Sequence, residues 1–266
     1  MSTFDAKSYW DARHSWNYGP ESVGYAGLGV PYNEWMYRVR AHVVTREIRR
    51  AGIDLGARAV LDVGSGTGFY IQLWQDLGAR KITGSDFAPF AVHALEKKYP
   101  AHRFVELDVS SEQLSPADEK YDLVSAFDIF YHIVDDKAYA RAFRNVRSLL
   151  NVGGYFVFSE NFLPREREVG LHQVSRSNLE IAALLAENKF EIVSRAPVFV
   201  LMNRPLDSSR RVLGFTWRLI ERVARMRDHP RFGGWLGAAL YPLELLCVRL
   251  AITGPTTEMM VCRLSE

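Results

Sequence analysis

The sequence predicts an α/β protein: a Rossmann-like, doubly wound sheet of seven strands with an antiparallel last strand, an N-terminal helical lid and a helical insertion between strands six and seven. Three observations carry this. From residue 59 onward, short apolar runs alternate with amphipathic stretches, the pattern of repeated βα units around a parallel sheet. The first run leads into a glycine-rich turn, "VLDVGSGTGFY" over 60–70. Residues 203–255 separate the sixth strand from the seventh, too long a stretch for a hairpin loop, and they carry helical patterns of their own.

The elements follow in order. "AVLDVG" (59–64) is a buried strand, and "GFYIQLWQDLG" is a helix that stops at Gly78, where a left-handed cap would sit. "KITGSDF" is the second strand. Pro89 can open the next helix and Pro100 cannot continue it, so "PFAVHALEKKY" is bracketed by residues of restricted φ. "RFVELDV" and "YDLVSAFDIF" are strands three and four. Asp135 to Leu150 is helical and broken by "NVGG", after which "YFVFSENF" is the fifth strand. Ser177 and Glu180 have capping-box spacing and start a helix to about Asn188. "FEIVSRAPVFVLM" and "TEMMVCRL" (257–264) complete the set. The expected organisation is a lid and helix over 1–54, a core over 55–202, a helical cap over 203–255 and the last strand within 256–266, with no internal repeat.

Composition narrows the class. With 266 residues and 48% hydrophobic content, the chain can bury a full core. Its 33 basic and 31 acidic residues give a formal charge of +2, without the single-sign field of a general nucleic-acid binder, so no nucleic-acid partner is expected. The N-terminus "MSTFDAKSYWDARH" has acidic residues and no apolar run, which argues against a secretory signal and for the cytoplasm. Cys247 and Cys262 lack metal-ligand spacing and read as buried reduced thiols.

A glycine-rich turn between a strand and its helix lets a ligand approach the backbone. In the dinucleotide fingerprint the third glycine comes one residue later than Gly68, where this chain has Phe69. Asp62 lies within the strand, and a carboxylate there suits a cationic ammonium better than a pyrophosphate. A plain tight turn is the alternative reading.

Here the sequence resembles the class I S-adenosylmethionine-dependent methyltransferase family. The resemblance rests on "VLDVGSGTG", on Asp86 ending the second strand in "GSDF", and on Asp108 after the third in "LDV". It covers roughly 55–202 plus the last strand. It implies S-adenosylmethionine as cofactor, with Asp62, Gly64, Ser65, Gly66 and Gly68 at its amino-acid end. Asp86 would accept the two ribose hydroxyls with Phe87 beside it, Asp108 and Val109 would lie at the adenine, and Phe127 would sit by the methionine part.

Methyl transfer from a sulfonium is an in-line displacement that needs alignment and exclusion of water, plus a base for a hydroxyl acceptor. His132 in "FYHI" is the first base expected and His172 the second; each could instead pack under the cofactor or cap the fold. Asp128, Glu160 and Asn161 resemble the divalent-metal site of catechol-type O-methyltransferases, but Glu160 stands where that family has aspartate; solvated carboxylates are the preferred reading, and no metal is expected. Residues 8–35 hold three tryptophans and four tyrosines and suit a mobile aromatic lid, with Tyr9, Trp10 and Arg13 reaching the cofactor; packing on the sheet edge is the alternative. In the insertion, Val212, Leu219, Ile220 and Val223 recur near helical spacing opposite Arg211, Arg218, Arg222 and Arg225. The following apolar run is no membrane span, because Pro242, Glu244 and Arg249 interrupt it.

The expected function is methyl transfer to a small organic acceptor, with a hydroxyl oxygen preferred over nitrogen or carbon. A non-catalytic cofactor-binding module is the rival. "AFDIF" lacks the Asn/Asp-Pro-Pro-aromatic pattern of nucleic-acid amino methylases. A peripheral membrane or lipid-linked substrate contact through 210–231 and the oligomeric state stay open.

Overall fold

The computed structural model describes residues 28–114, 119–164, 168–170, 172–206, 211–224 and 230–266. Helix α1 spans Val30–Arg50. Strand β1 (Ala59–Val63) leads into α2 (Phe69–Asp76), β2 (Lys81–Asp86) into α3 (Pro89–Lys98), and β3 (Arg103–Glu106) is followed by β4 (Tyr121–Ala126). A 3₁₀ turn at Phe130–His132 precedes α4 (Asp136–Leu149) and β5 (Leu150–Glu160). Two short strands, β6 (Glu168–Val169) and β7 (Val174–Ser175), pair in a ribbon. Then come α5 (Asn178–Glu187), β8 (Phe190–Pro197), α6 (Arg211–Ala224), α7 (Pro230–Leu250) and β9 (Glu258–Leu264).

Seven strands form one sheet in the order β3-β2-β1-β4-β5-β9-β8. β9 runs antiparallel to both neighbours, β5 and β8, and the pairs from β3 to β5 are parallel. The direction of winding reverses between β1 and β4, which opens a crevice at their carboxyl ends.

Each sheet face carries its own apolar layer. One joins α1, α2, α6 and α7 to the sheet through Val39, Val43, Trp74, Trp217 and Val248. The other sets α4 and α5 against rings on β5, where Phe156 and Phe158 stack at 4.4 Å and Phe143 meets both edge-on. The helix ends follow local chemistry. Asp135 caps α4 through a 2.8 Å bond from the Ala138 N–H, and Ser177 with Glu180 forms the expected capping box on α5.

Two local expectations are corrected. "NVGG" does not merely break the preceding helix: β5 begins at Leu150, and the pairing jumps from Tyr121 opposite Leu150 to Leu123 opposite Tyr155, with Gly153 at φ 77° absorbing the surplus residues. In α6 the buried stripe is Trp217 and Ile220, whereas Val212 is 78% and Leu219 58% exposed. Apolar residues occur all round this helix, so their spacing alone did not fix its rotation; the largest ring went inward. Arg225 and the Arg211 side chain lie outside the described residues.

Helix α7 is pinned to the core. The Glu244 carboxylate, fully buried, accepts from the N–H groups of Val200, Leu201 and Met202 at 2.5, 2.7 and 3.2 Å. Trp35 of α1 packs against Tyr241 at 5.2 Å and covers Gly237 so closely that a Cβ there would lie 2.4 Å from the ring. Among the described residues no helix is long and apolar enough to cross a membrane. Both cysteines are free; Cys262 is buried and Cys247 only half-buried.

Candidate functional site

A cavity of about 300 Å³ opens in the crevice between β1 and β4. Its floor is the turn after β1. The Ser65 N–H donates to the Ser85 carbonyl at 2.8 Å, and the Gly68 N–H to the Ser65 carbonyl at 2.8 Å. The Ser65 hydroxyl donates to the Asp62 carbonyl at 3.0 Å and accepts from the Ser85 N–H at 3.2 Å. Gly64 and Gly68 have φ of 71° and 86°, a region costly for residues with a Cβ. A Cβ on Gly64 would lie 2.1 Å from Ile129 Cδ1, and one on Gly68 2.6 Å from the Tyr99 ring. Bareness therefore serves two ends: the turn's own dihedrals, and the packing of neighbours against it.

The turn residues Gly64, Ser65 and Gly66 line the cavity. Asp86 and Phe87 form the next wall, where Asp86 Oδ2 accepts from the Gly66 N–H at 3.0 Å and Oδ1 from the Ala88 N–H at 3.0 Å. Asp108 and Val109 line the far end, and Asp108 is held by Ser110 through its N–H and hydroxyl. Phe127 and His132 line the β4 side.

Asp62 and Gly68 are not on the wall. Asp62 lies beneath the turn, 1% exposed, with Oδ1 accepting from the Ser125 hydroxyl at 2.6 Å and Oδ2 buried with no hydrogen-bond partner. Burial pushes its carboxyl up to about 6, against the hydrogen bond from Ser125. His172 stands behind His132, the rings 6.0 Å apart, and its carbonyl lies 3.0 Å from His132 Nδ1. If Nδ1 carries the proton, Nε2 presents a lone pair. Tyr9, Trp10 and Arg13 lie outside the described residues.

The metal alternative fares differently. Asp128 is ion-paired with Arg40 at 2.7 Å and takes the Ser159 hydroxyl at 3.0 Å. Glu160 is fully buried rather than solvated, and accepts from the Tyr139 hydroxyl at 3.0 Å and the Asn161 N–H at 2.9 Å. The Asn161 amide bonds Ser175 and Thr257. Among the described residues no group of three His, Cys, Asp or Glu is placed to hold a metal ion.

Sequence reasoning missed an aromatic box. Tyr37 of α1, Phe69 and Tyr70 of α2 and Tyr131 of the 3₁₀ turn line the cavity together. Tyr37 and Phe69 lie 4.5 Å apart, and Tyr70 stacks on Phe127 at 4.0 Å. Burial pushes the Tyr37 phenol up to about 12 and those of Tyr70 and Tyr131 well above their usual value. These phenols stay protonated and can donate hydrogen bonds, but they are not bases near neutral pH. Behind them Arg40 sits with its guanidinium over Phe199; burial opposes its charge, and Asp128 together with Tyr70, Tyr37 and Tyr131 more than compensates. Asp128 itself has φ 60°, an unusual conformation held by Arg40 and Ser159. Tyr37 and Arg40, three apart on one helix, are the trace this box leaves in the sequence.

Comparison with known proteins adds the following. A family model described as a methyltransferase domain matches residues 60–154. The chain is 29% identical over 173 residues to the tRNA U34 carboxymethyltransferase of Dichelobacter nodosus, covering 60% of this chain and 51% of that protein. It is 25% identical over 168 residues to the tRNA U34 carboxymethyltransferase of Hahella chejuensis, covering 61% and 48%. The chain thus spans about half the length of the curated relatives it matches. Among solved structures, an S-adenosylmethionine-dependent methyltransferase from Clostridium acetobutylicum shares the fold at TM-score 0.55 and 12% identity, over 86% of this chain and 92% of that one. A magnesium protoporphyrin IX methyltransferase from Synechocystis with bound S-adenosylmethionine does so at 0.54 and 14%, over 98% and 93%.

The relatives overturn two expectations, a small organic acceptor and the exclusion of nucleic acid, since all three curated ones are named for tRNA. The second rested on net charge, which averages over the surface and says nothing of how charge is distributed on it.

Proposed function

We propose that this chain, which carries a class I S-adenosylmethionine-dependent methyltransferase domain, transfers the methyl group of S-adenosylmethionine to a tRNA nucleoside in the cytoplasm. The observation that carries the acceptor is the likeness to tRNA-modifying enzymes across 60% of the chain. The residues fit the cofactor. The buried, unpartnered Oδ2 of Asp62, beneath the cavity-lining turn, leaves acceptor capacity for an ammonium. Asp86, anchored by two backbone N–H groups, sets its carboxylate on the cavity wall where a ribose diol would lie. Phe87, Val109 and Asp108 suit an adenine edge and face. Bound there, the cofactor supplies an electrophilic methyl carbon on a sulfonium.

The charge of the wall bears on which group moves. The described lining residues include Asp86, Asp108, Asp128 and Asp135 and no lysine or arginine. Arg40, behind the wall, is already committed to Asp128. A carboxymethyl donor would bring a further carboxylate into this field, which favours a methyl group for this chain even though the relatives are named for carboxymethyl transfer.

The aromatic box is given the acceptor base, since rings stack a flipped nucleobase and neutral phenols donate to its carbonyls. His132 is given the acceptor proton through Nε2. Replacing it by alanine is expected to lower kcat by on the order of a hundredfold while S-adenosylhomocysteine affinity stays unchanged. Steady-state kinetics with calorimetry checks both, and an unchanged kcat removes the base role. His172→Ala should act more weakly, because its side chain does not line the cavity.

A pH dependence follows from Asp62. Its carboxyl, raised to about 6, must ionise to meet an ammonium. S-adenosylhomocysteine affinity should therefore fall as pH is lowered through 6, and Asp62→Asn should bind weakly with that dependence gone. Calorimetry between pH 5 and 8 reads this, and an Asn variant that keeps the wild-type pH profile contradicts it. The acceptor itself is tested by coupled detection of S-adenosylhomocysteine: turnover should require added tRNA, and turnover independent of tRNA would count against the reading.

A further inference from the structure

We infer that the arginine-rich helical hairpin of the insertion, α6 and α7, is a docking surface for single-stranded RNA beside the catalytic pocket; this rests on the tRNA reading above and names the part of the chain that grips the strand.

The charge of the chain is segregated. Residues 203–255 hold nine arginines and no lysine against four acidic residues, a balance of +5. The whole chain carries 33 basic and 31 acidic residues, so the remainder holds 24 against 27, a balance of −3. One acidic member of the insertion, Glu244, is fully buried and spent on backbone N–H groups. The modest total of +2 thus conceals a basic hairpin on an acidic body. The pocket needs such an aid. It is lined by aspartates, with no lysine or arginine among its described residues, and repels a phosphate. A nucleoside can enter only if its phosphates are held elsewhere.

The hairpin has the stacking groups as well as the charge. Trp235 is 68% exposed and sits edge-on to the half-exposed Phe232 at 5.7 Å. On α6, Phe215 is exposed with the Arg218 guanidinium 6.0 Å from its ring centre, and Arg222 follows one turn later, also exposed. Exposed rings interleaved with arginines suit unpaired bases and their phosphates. Connectivity puts Arg222, at the end of α6, and Phe232, at the start of α7, near the same end of the hairpin.

That end lies against the start of α1, the helix that carries pocket-lining Tyr37. Gly233 and Gly234 pack on Leu28, Pro31 and Tyr32 at the start of α1. Pocket-lining Tyr37 lies six residues further along α1, about 9 Å at the helical rise. The hairpin is also held rigidly to the core: Arg46 bonds the Val248 carbonyl at 3.1 Å, and Glu244 clamps the chain after β8. A strand lying on the hairpin would have a base within reach of the aromatic box.

The test is anisotropy of end-labelled unfractionated tRNA titrated with the full chain, with Arg218→Gln/Arg222→Gln, and with Trp235→Ala, at low and moderate salt. All three side chains are exposed, so melting temperatures should match. The arginine pair should weaken binding by tenfold or more and lower the salt slope by about 2, and Trp235→Ala should weaken binding with the slope unchanged. S-adenosylhomocysteine affinity should stay the same in every variant. If the variants bind tRNA as the wild type does while the wild type still methylates it, the docking surface is wrong and the tRNA reading stands. If the wild type neither binds nor methylates tRNA, both fall. Binding to phosphatidylglycerol vesicles in place of tRNA, or a dimer that Trp235→Ala dissociates without change in tRNA affinity, would also overturn the RNA surface.

Discussion

Asp86→Ala is expected to lower affinity for S-adenosylhomocysteine by on the order of a hundredfold, about 3 kcal/mol, in a variant that still folds. The carboxylate ends β2 at 4% exposure and lines the cavity. Its two oxygens are held by the Gly66 and Ala88 N–H groups at 3.0 Å each, which fixes the carboxylate at the wall. Alanine removes both ribose acceptors and loosens Gly66, so the turn should suffer along with the ribose. Asp86→Asn keeps one acceptor oxygen and should fall between. Calorimetry with a melting curve for each variant reads the effect; a folded alanine variant with wild-type affinity would take Asp86 out of the site.

Gly64→Ala is the second large effect, and it should strike both stability and cofactor binding. At φ 71° alanine costs about 1–2 kcal/mol, and its Cβ would stand 2.1 Å from Ile129 Cδ1 and 2.6 Å from Cγ1. Ile129 must swing away, and it neighbours Asp128 and the 3₁₀ turn that carries Tyr131 and His132. With overpacking added, the loss is roughly 2–5 kcal/mol. Cofactor affinity should drop further, because the methyl group also stands beside the bare stretch of backbone. Chemical denaturation and calorimetry measure the two parts. A variant as stable as the wild type would show that Ile129 yields freely.

Much of this was legible in the sequence for physical reasons. Buried parallel strands read as short apolar runs, and a turn forced into positive φ reads as glycine, so β1, its turn and Asp86 at the end of β2 could be placed from residues alone. The capping box at Ser177 was equally direct, because both of its halves are local. The aromatic box was not legible, since Tyr37, Tyr70 and Tyr131 come from three separate segments and meet only when α1 lies across the sheet. The Arg40–Asp128 pair spans 88 residues for the same reason. The rotation of α6 was misjudged because Val212, Phe215 and Leu219 are as apolar as the buried Ile220. The acceptor was misjudged because a chain-wide charge hides a basic hairpin.

The central claim is methyl transfer from S-adenosylmethionine to tRNA, and incubation of the purified chain with methyl-labelled S-adenosylmethionine and unfractionated tRNA tests it most directly. The account predicts label in acid-precipitable material that ribonuclease releases, lost in Asp86→Ala and reduced in His132→Ala. The absence of label in that tRNA, with a chain shown by calorimetry to bind S-adenosylhomocysteine, would contradict it.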